Sequence, residues 1–263
     1  MSAFEAVLLG LVQGLTEFLP VSSSGHLVMS QEVLGIDSPG VFLEVALHLA
    51  TLLSVVLVYR RTLLRLLVGT LQGNREAVGY VGLLLVASVP AGVVGLGFED
   101  AIEATFDTPA VTGFMLIVTG FLLWSTRRVA RRPDQEVMVP GWKLALGIGA
   151  AQAFAILPGI SRSGSTITAG LWARMNGAAA AEFSFLMSIP AIAGAVVLQL
   201  PETSGSVALL GLGALIAGFL AALISGIAAI IALVWLLRRQ EFYKFAFYLW
   251  PVGSAFLLYL WLR

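Results

Sequence analysis

The sequence contains no cysteine, which excludes disulfides and thiolate metal sites. Charge is scarce as well. Only 11% of the 263 residues are charged and 59% are apolar, whereas a soluble domain carries roughly 25% charged residues. A chain with so little polar surface cannot face water on every side, so a membrane is its solvent and lipids are its neighbours. Fifteen basic and fifteen acidic residues leave no formal net charge, so no global field draws in a polyanion and no nucleic-acid partner is expected. Basic residues are missing altogether before Arg60. The N-terminus thus lacks the basic region of a secretory signal peptide, and the first apolar stretch is expected to stay in the mature protein.

Apolar sequence is abundant, and its lengths are informative. A spanning helix needs about 20 mostly apolar residues. Six stretches qualify: about 41–59, 79–97, 109–124, 180–199, 207–236 and 244–262. Two others are apolar but interrupted. The stretch 3–35 breaks at Pro20, Ser22, Ser23, Ser24 and Gly25, and the stretch 142–176 at Pro158, Gly159, Ser161, Arg162, Ser163 and Gly164. Each half is too short to cross, but two halves make a hairpin that enters and returns. Irregular backbone at membrane depth persists only where protein or a wet cavity satisfies it, so each break should line a cavity.

The expected fold is an all-α polytopic membrane protein, one integral domain over 1–263, with six transmembrane helices and two re-entrant helical hairpins. Such a topology puts thirteen of the fifteen basic residues on one side, all but Arg162 and Arg263. By the positive-inside rule that side is cytoplasmic. The acidic loop with Glu99, Asp100, Glu103 and Asp107 then lies outside. The expected location is the cell inner (plasma) membrane, multi-pass.

The two interrupted segments resemble each other. Gln13 precedes Ser22 by nine residues, as Gln152 precedes Ser161, and Ser22-Ser23-Ser24-Gly25 aligns with Ser161-Arg162-Ser163-Gly164 at a constant offset of 139. A weaker echo joins Ser88-Val89-Pro90-Ala91 to Ser188-Ile189-Pro190-Ala191 at an offset of 100. In the topology above the hairpins enter from opposite faces. This is an inverted-topology repeat, its first copy about 1–124 and its second about 142–263. Such folds place their site near the midplane, where half-helix N-termini meet. Serine is a good N-cap, and the following turn offers free N–H groups and a positive dipole end. Two such ends beside Arg162 make an anion site, with phosphate as the natural ligand.

Ionisable residues inside apolar sequence are costly and read as functional by default. Gln13 and Glu17 share a helical face by their i,i+4 spacing. His26 follows Ser23 by three residues, and a serine near a histidine and a carboxylate resembles an activated nucleophile. Arg162 cannot lose its charge and needs an anionic partner, either Glu17 or a bound phosphate. Thr166 lies four residues on and can add a hydroxyl. Glu44 and His48 form a second i,i+4 pair, which either lines the cavity or satisfies itself. Arg174 reads as an interfacial, snorkelling side chain. Tyr243, Tyr248, Trp250, Tyr259 and Trp261 read as interface anchors and packing.

Gln13-Gly14-Leu15-Thr16-Glu17-Phe18-Leu19-Pro20-Val21-Ser22-Ser23-Ser24-Gly25-His26-Leu27 resembles the first signature of the bacitracin-resistance undecaprenyl-diphosphate phosphatase family. Pro158-Gly159-Ile160-Ser161-Arg162-Ser163-Gly164-Ser165-Thr166 resembles the second, in the same order and over a similar length. The resemblance implies a phosphatase that converts undecaprenyl diphosphate to undecaprenyl phosphate, recycling the lipid carrier for cell-wall synthesis and conferring bacitracin resistance. It implies a prenyl diphosphate lipid substrate and a divalent cation, Mg²⁺ or Ca²⁺, held by Glu17 and phosphate oxygens. It also implies Glu17, Ser23, His26 and Arg162 as catalytic residues. Gln13, Ser22, Ser24, Gly25, Ser161, Ser163, Gly164 and Thr166 would support the phosphates. Where the family often has a first glutamate, this chain has Gln13, which adds no charge. The diphosphate would enter from the outer side with its tail in lipid, and either Ser23 or a water would attack. An inverted-repeat transporter or flippase for a phosphorylated lipid or anion is the alternative reading. A homo-oligomer is one assembly open to such a chain.

Overall fold

The computed structural model describes residues 1–34, 41–129, 137–199 and 211–263. Among these the chain is helical throughout, apart from turns and one isolated bridge between Val137 and Met175. The first interrupted segment forms α1 (Ala3–Phe18) and α2 (Ser23–Leu34). Then come α3 (Val41–Val58), α4 (Arg60–Leu71), α5 (Arg75–Gly97), α6 (Glu99–Phe106) and α7 (Pro109–Ser125). The second interrupted segment forms α8 (Trp142–Phe154) and α9 (Arg162–Trp172). The chain finishes with α10 (Gly177–Gln199), α11 (Leu212–Arg238), a 3₁₀ turn (Phe242–Phe245) and α12 (Ala246–Leu262).

Four of these segments are long and apolar enough to cross a membrane: α5, α10, α11, and the 3₁₀ turn continued into α12. Two bent pairs, α3 with α4 and α6 with α7, raise the number to six. The chain is therefore an all-α polytopic membrane protein. Residues 207–210 of the expected fifth span, and residue 35 of the first hairpin, lie outside the described residues. Neither half of a hairpin crosses alone: the longest, α1, has 16 residues, about 24 Å of helix, against a hydrocarbon layer of about 30 Å.

Two helices are additions to the expected pattern. The chain bends by 76° at Tyr59, so α4 leaves the direction of α3 as a separate amphipathic helix with no buried side chain. Between α6 and α7 it bends by 95°: α6 ends at its cap Asp107, and α7 opens after Thr108 with Pro109 at a position where proline is well tolerated. The acidic loop is thus itself helical, with Glu99 and Asp100 in its first turn.

Large apolar side chains on the outside, among them Leu85, Val93, Leu96, Phe121 and Trp261, are what a lipid-facing surface requires. The interior centres on α10, where Phe183, Phe185, Leu186, Met187 and Ser188 are buried. Phe185 meets Phe18 of α1 edge-on at 5.4 Å between ring centres.

Each hairpin is held by a helix from the other half of the chain. α1 packs along α11, and α8 packs along α5. The contacts are backbone-close and fall at matched positions. A side chain at Gly10 would sit 2.2 Å from the Gly218 carbonyl oxygen, and one at Gly149 would sit 2.2 Å from that of Ala87. Gly10 and Gly149 are again 139 apart. The weaker echo does not follow this scheme. Ser88 and Pro90 lie in the second long helix after the first hairpin, Ser188 and Pro190 in the first after the second. The two prolines occupy helices of different rank, so the echo is not part of the repeat.

These contacts predict opposite outcomes for two glycines of one helix. Gly149→Ala drives a methyl group into the Ala87 carbonyl and is expected to cost about 1–3 kcal/mol. Gly147→Ala meets nothing within 4 Å and is expected to be neutral or slightly stabilising, since alanine is the better helix former. Thermal unfolding of both variants in detergent compares them directly.

Candidate active site

The two hairpin tips carry the same capping geometry. In the first, the Ser22 hydroxyl accepts the Gly25 N–H at 3.2 Å and lies 3.3 Å from the Ser24 hydroxyl. In the second, the Ser161 hydroxyl accepts the Gly164 N–H at 3.0 Å and lies 3.2 Å from the Ser163 hydroxyl. The sequence reading of serine caps is met residue for residue. The caps also consume the Gly25 and Gly164 amides, so these two N–H groups are committed to the fold. Ser22 is in the left-handed region, φ 69°, unlike its counterpart Ser161. A non-glycine residue there stores strain, as residues at functional sites often do.

The tips meet. A side chain at Gly25 would approach Cα of Gly159 to 3.1 Å. Gly159 itself has φ 93°, and a side chain there would strike the Thr112 carbonyl oxygen at 2.4 Å, so the turn requires glycine. Thr119 of α7 ties this loop down, donating to the Gly159 carbonyl at 2.9 Å and accepting from the Ser161 N–H at 3.2 Å.

Across this junction Arg162, the first residue of α9, reaches Glu17 near the end of α1, with Nη2 to Oε1 at 2.7 Å. The other carboxylate oxygen of Glu17 accepts from the Ser23 hydroxyl at 2.6 Å and from the Gln13 side-chain amide at 3.1 Å. Glu17 thus gathers one residue from its own helix, one from the first hairpin's second half, and one from the opposite hairpin. Gln13 is fully buried, and its own carbonyl oxygen is unpartnered. Arg162 Nη1 is also buried without a partner.

A cavity of about 290 Å³ opens beside this cluster. Glu17, Ser22, Ser23, Ser24, Ser161 and Arg162 line it from the two hairpins. His48 of α3, Phe106 of α6 and Ala191 of α10 complete the wall. Since α6 holds the acidic loop, the cavity lies toward the face that charge sorting assigns to the outside.

Other expected site residues are placed differently. Gln13 acts behind Glu17 and does not line the cavity. Thr166 does not supply a pocket hydroxyl; it bonds the Arg162 carbonyl at 2.8 Å and the Ser184 hydroxyl at 2.6 Å, bracing α9 against α10. Ser163 turns to the Leu19 carbonyl at 3.4 Å. His26 does not contact Ser23. Its Nδ1 bonds the Ser22 carbonyl at 2.8 Å, and its Nε2 pairs with the Tyr248 hydroxyl at 2.7 Å, the two rings lying nearly parallel. Tyr248 is therefore a partner to a site histidine as well as an aromatic near the chain's end, a role that its position in an apolar run gave no sign of. His48 both pairs within its helix and faces the cavity: its Nδ1 bonds the Glu44 carbonyl at 2.8 Å and its side chain lines the cavity.

The implied divalent cation can be tested against these donors. Among the described residues no group of three or more histidine, cysteine or acidic side chains could hold a metal ion. Among the described residues that line the cavity Glu17 is the one carboxylate, and both its oxygens are engaged by Arg162, Ser23 and Gln13. This does not fit a protein-built metal site.

The protein-family model described as Bacitracin resistance protein BacA matches residues 6–255. An undecaprenyl-diphosphatase of Alkaliphilus metalliredigens is 41% identical over 98% of this chain and 99% of its own length. Another, from Syntrophotalea carbinolica, is 42% identical over 97% and 98%. A third, from Methanobrevibacter smithii, is 40% identical over 96% of each chain. Matched from the first hairpin to the last helix, with its serine, carboxylate and arginine gathered at the tips, this chain belongs to the bacitracin resistance protein BacA family.

Proposed function

We propose that the chain is an integral membrane phosphatase that hydrolyses undecaprenyl diphosphate to undecaprenyl phosphate and inorganic phosphate, the activity its relatives are named for. This recycles the lipid carrier for cell-wall synthesis and confers bacitracin resistance. The observation that carries the reading is the convergence of Ser23 and Arg162 on Glu17 at the edge of a polar cavity. A carrier of anions needs a cationic pocket, but has no use for a serine hydroxyl held 2.6 Å from a buried carboxylate.

Arg162 binds the phosphates through its uncommitted Nη1, and the first-turn N–H groups after the two serine caps add a positive field. Glu17 orients the Ser23 hydroxyl and takes the proton from the attacking oxygen. That oxygen is Ser23 Oγ or a water beside it. The terminal phosphorus sits between this oxygen and the guanidinium, and catalysis is mostly positioning and charge stabilisation, as in other phosphoryl transfers. A Mg²⁺ or Ca²⁺ ion enters as part of the substrate, bound to its diphosphate. The prenyl tail stays between lipid-facing helices, and the headgroup enters from the outer side of the inner (plasma) membrane. The two halves of the chain form one domain as an inverted repeat.

Detergent-purified protein given a prenyl diphosphate and a divalent cation is expected to release inorganic phosphate. Binding without release would instead mark a carrier. Arg162→Ala is expected to lower kcat/KM by about 10³-fold, the scale of losing one preorganised charge-stabilising donor. Arg174→Ala, two residues past the end of α9 and so beyond its full length of about 16 Å from the tip, is expected to stay within a few-fold. Equal losses in the two variants would remove the phosphate-binding role from Arg162. Rapid quenching of a turnover with labelled terminal phosphate distinguishes the two attackers: label retained on Ser23 marks a phosphoserine, and near-normal turnover by Ser23→Ala excludes it.

A further inference from the structure

The phosphatase reading leaves one task without a residue. The departing bridging oxygen gains negative charge, and a positioned proton donor typically contributes 10²–10⁴-fold to such a step. Three ionisable side chains line the cavity among the described residues: Glu17, Arg162 and His48. Arg162 cannot give up a proton. Glu17 is occupied by Ser23, Gln13 and Arg162. His26 lies outside the cavity lining, and both its ring nitrogens are engaged, one by the Ser22 carbonyl and one by Tyr248.

His48 meets the requirement. It sits on α3, a third element facing both hairpin tips, and is near enough to Glu17 for the two to interact electrostatically. Its Nδ1 lies 2.8 Å from the Glu44 carbonyl. A carbonyl only accepts, so Nδ1 carries a proton and the ring is fixed in one orientation. The remaining nitrogen, Nε2, is then the position at which a proton is exchanged: it carries one in the cationic ring and is a bare acceptor in the neutral ring. The charged groups that line the cavity with His48 are Glu17 from α1 and Arg162 from α9, Glu44 stands one turn before it on its own helix, and α6 and α10 contribute apolar Phe106, Ala191, Ile192 and Ala195 to the same wall. A histidine at membrane depth that merely satisfied itself would have no need to face a polar cavity.

We propose that His48 is a catalytic residue, the donor that protonates the leaving prenyl phosphate; this rests on the phosphatase reading above. Ser23 Oγ or a water oxygen forms the new bond to the terminal phosphorus, and its proton passes to Glu17. The bond between that phosphorus and the bridging oxygen breaks, its electron pair stays on the bridging oxygen, and that oxygen takes the proton from His48 Nε2. The neutral ring keeps its Nδ1 proton. It regains the other from solvent as Glu17 returns its own, and where Ser23 was the attacker a water then displaces Oγ from the phosphorus, releasing inorganic phosphate and restoring the hydroxyl.

The test uses the full chain in detergent, with the parent, His48→Gln and His48→Ala. Glutamine keeps a donor for the Glu44 carbonyl but cannot shuttle a proton. Both variants are expected to lose about 10²-fold or more in kcat, with KM within about threefold and melting temperatures near the parent's. Added imidazole is expected to restore His48→Ala at least tenfold and to leave Arg162→Ala unimproved. An active parent whose His48 variants keep kcat within threefold overturns this inference alone. So does a loss that imidazole cannot relieve in a destabilised His48→Ala, when His48→Gln is stable and active. A parent that releases no phosphate overturns the phosphatase reading itself, and the inference with it.

Discussion

The ion pair between Glu17 and Arg162 is the constraint around which the rest is arranged. Each charge sits at the tip of a hairpin too short to cross a membrane, and each is buried or nearly so. Removing one partner from such a pair typically costs 3–5 kcal/mol, because the other is left uncompensated. The pair therefore requires the tips to meet, and the tips can meet only because glycine stands at both contact points, Gly25 and Gly159. The cap serines, the Thr119 clamp and the close packing of Gly10 and Gly149 on neighbouring backbone all serve the same junction.

The pair also explains why one carboxylate can serve the site. Gln13 stands where a second charge would be and donates a neutral hydrogen bond to Glu17. A second carboxylate there would need a second cation beside Arg162. The neutral amide keeps the local charge balanced, one negative against one positive, and leaves Arg162 Nη1 as the surplus donor. What the site lacks in charge it recovers in orientation, since Glu17 Oε2 is fixed from two sides by Gln13 and Ser23.

Much of this was legible in the sequence because it rests on local rules. The breaks at Ser22–Gly25 and Ser161–Gly164, the serine caps and the need of Arg162 for an anionic partner, Glu17 or a phosphate, follow from helix-end chemistry and the cost of charge in lipid. What was not legible depends on how helices are rotated against one another. Thr166 is one turn from Arg162, but its hydroxyl faces Ser184 on α10. His26 is one turn from Ser23, but its ring faces Tyr248 on α12. Spacing along one helix states which residues share a face and not which neighbour that face meets. The bend that makes α4 a separate helix was not legible for a related reason: Tyr59 breaks no rule of composition, and only the packed chain shows the turn.

The cross-packing of the hairpins sets an order of events during synthesis. α1 buries Gln13 and Glu17 and rests along α11, yet α11 begins about 180 residues after α2 ends. At translation rates of roughly 5–20 residues per second, the first hairpin waits on the order of 10 to 35 seconds for its seat. Arg162, the counter-charge to Glu17, arrives before that seat does, so the ion pair can form while α1 still lacks its long apolar contact. Chain order thus allows a stage in which the polar centre is joined and its hydrophobic support is missing. Shelter for that stage has to come from the insertion machinery or from lipid headgroups.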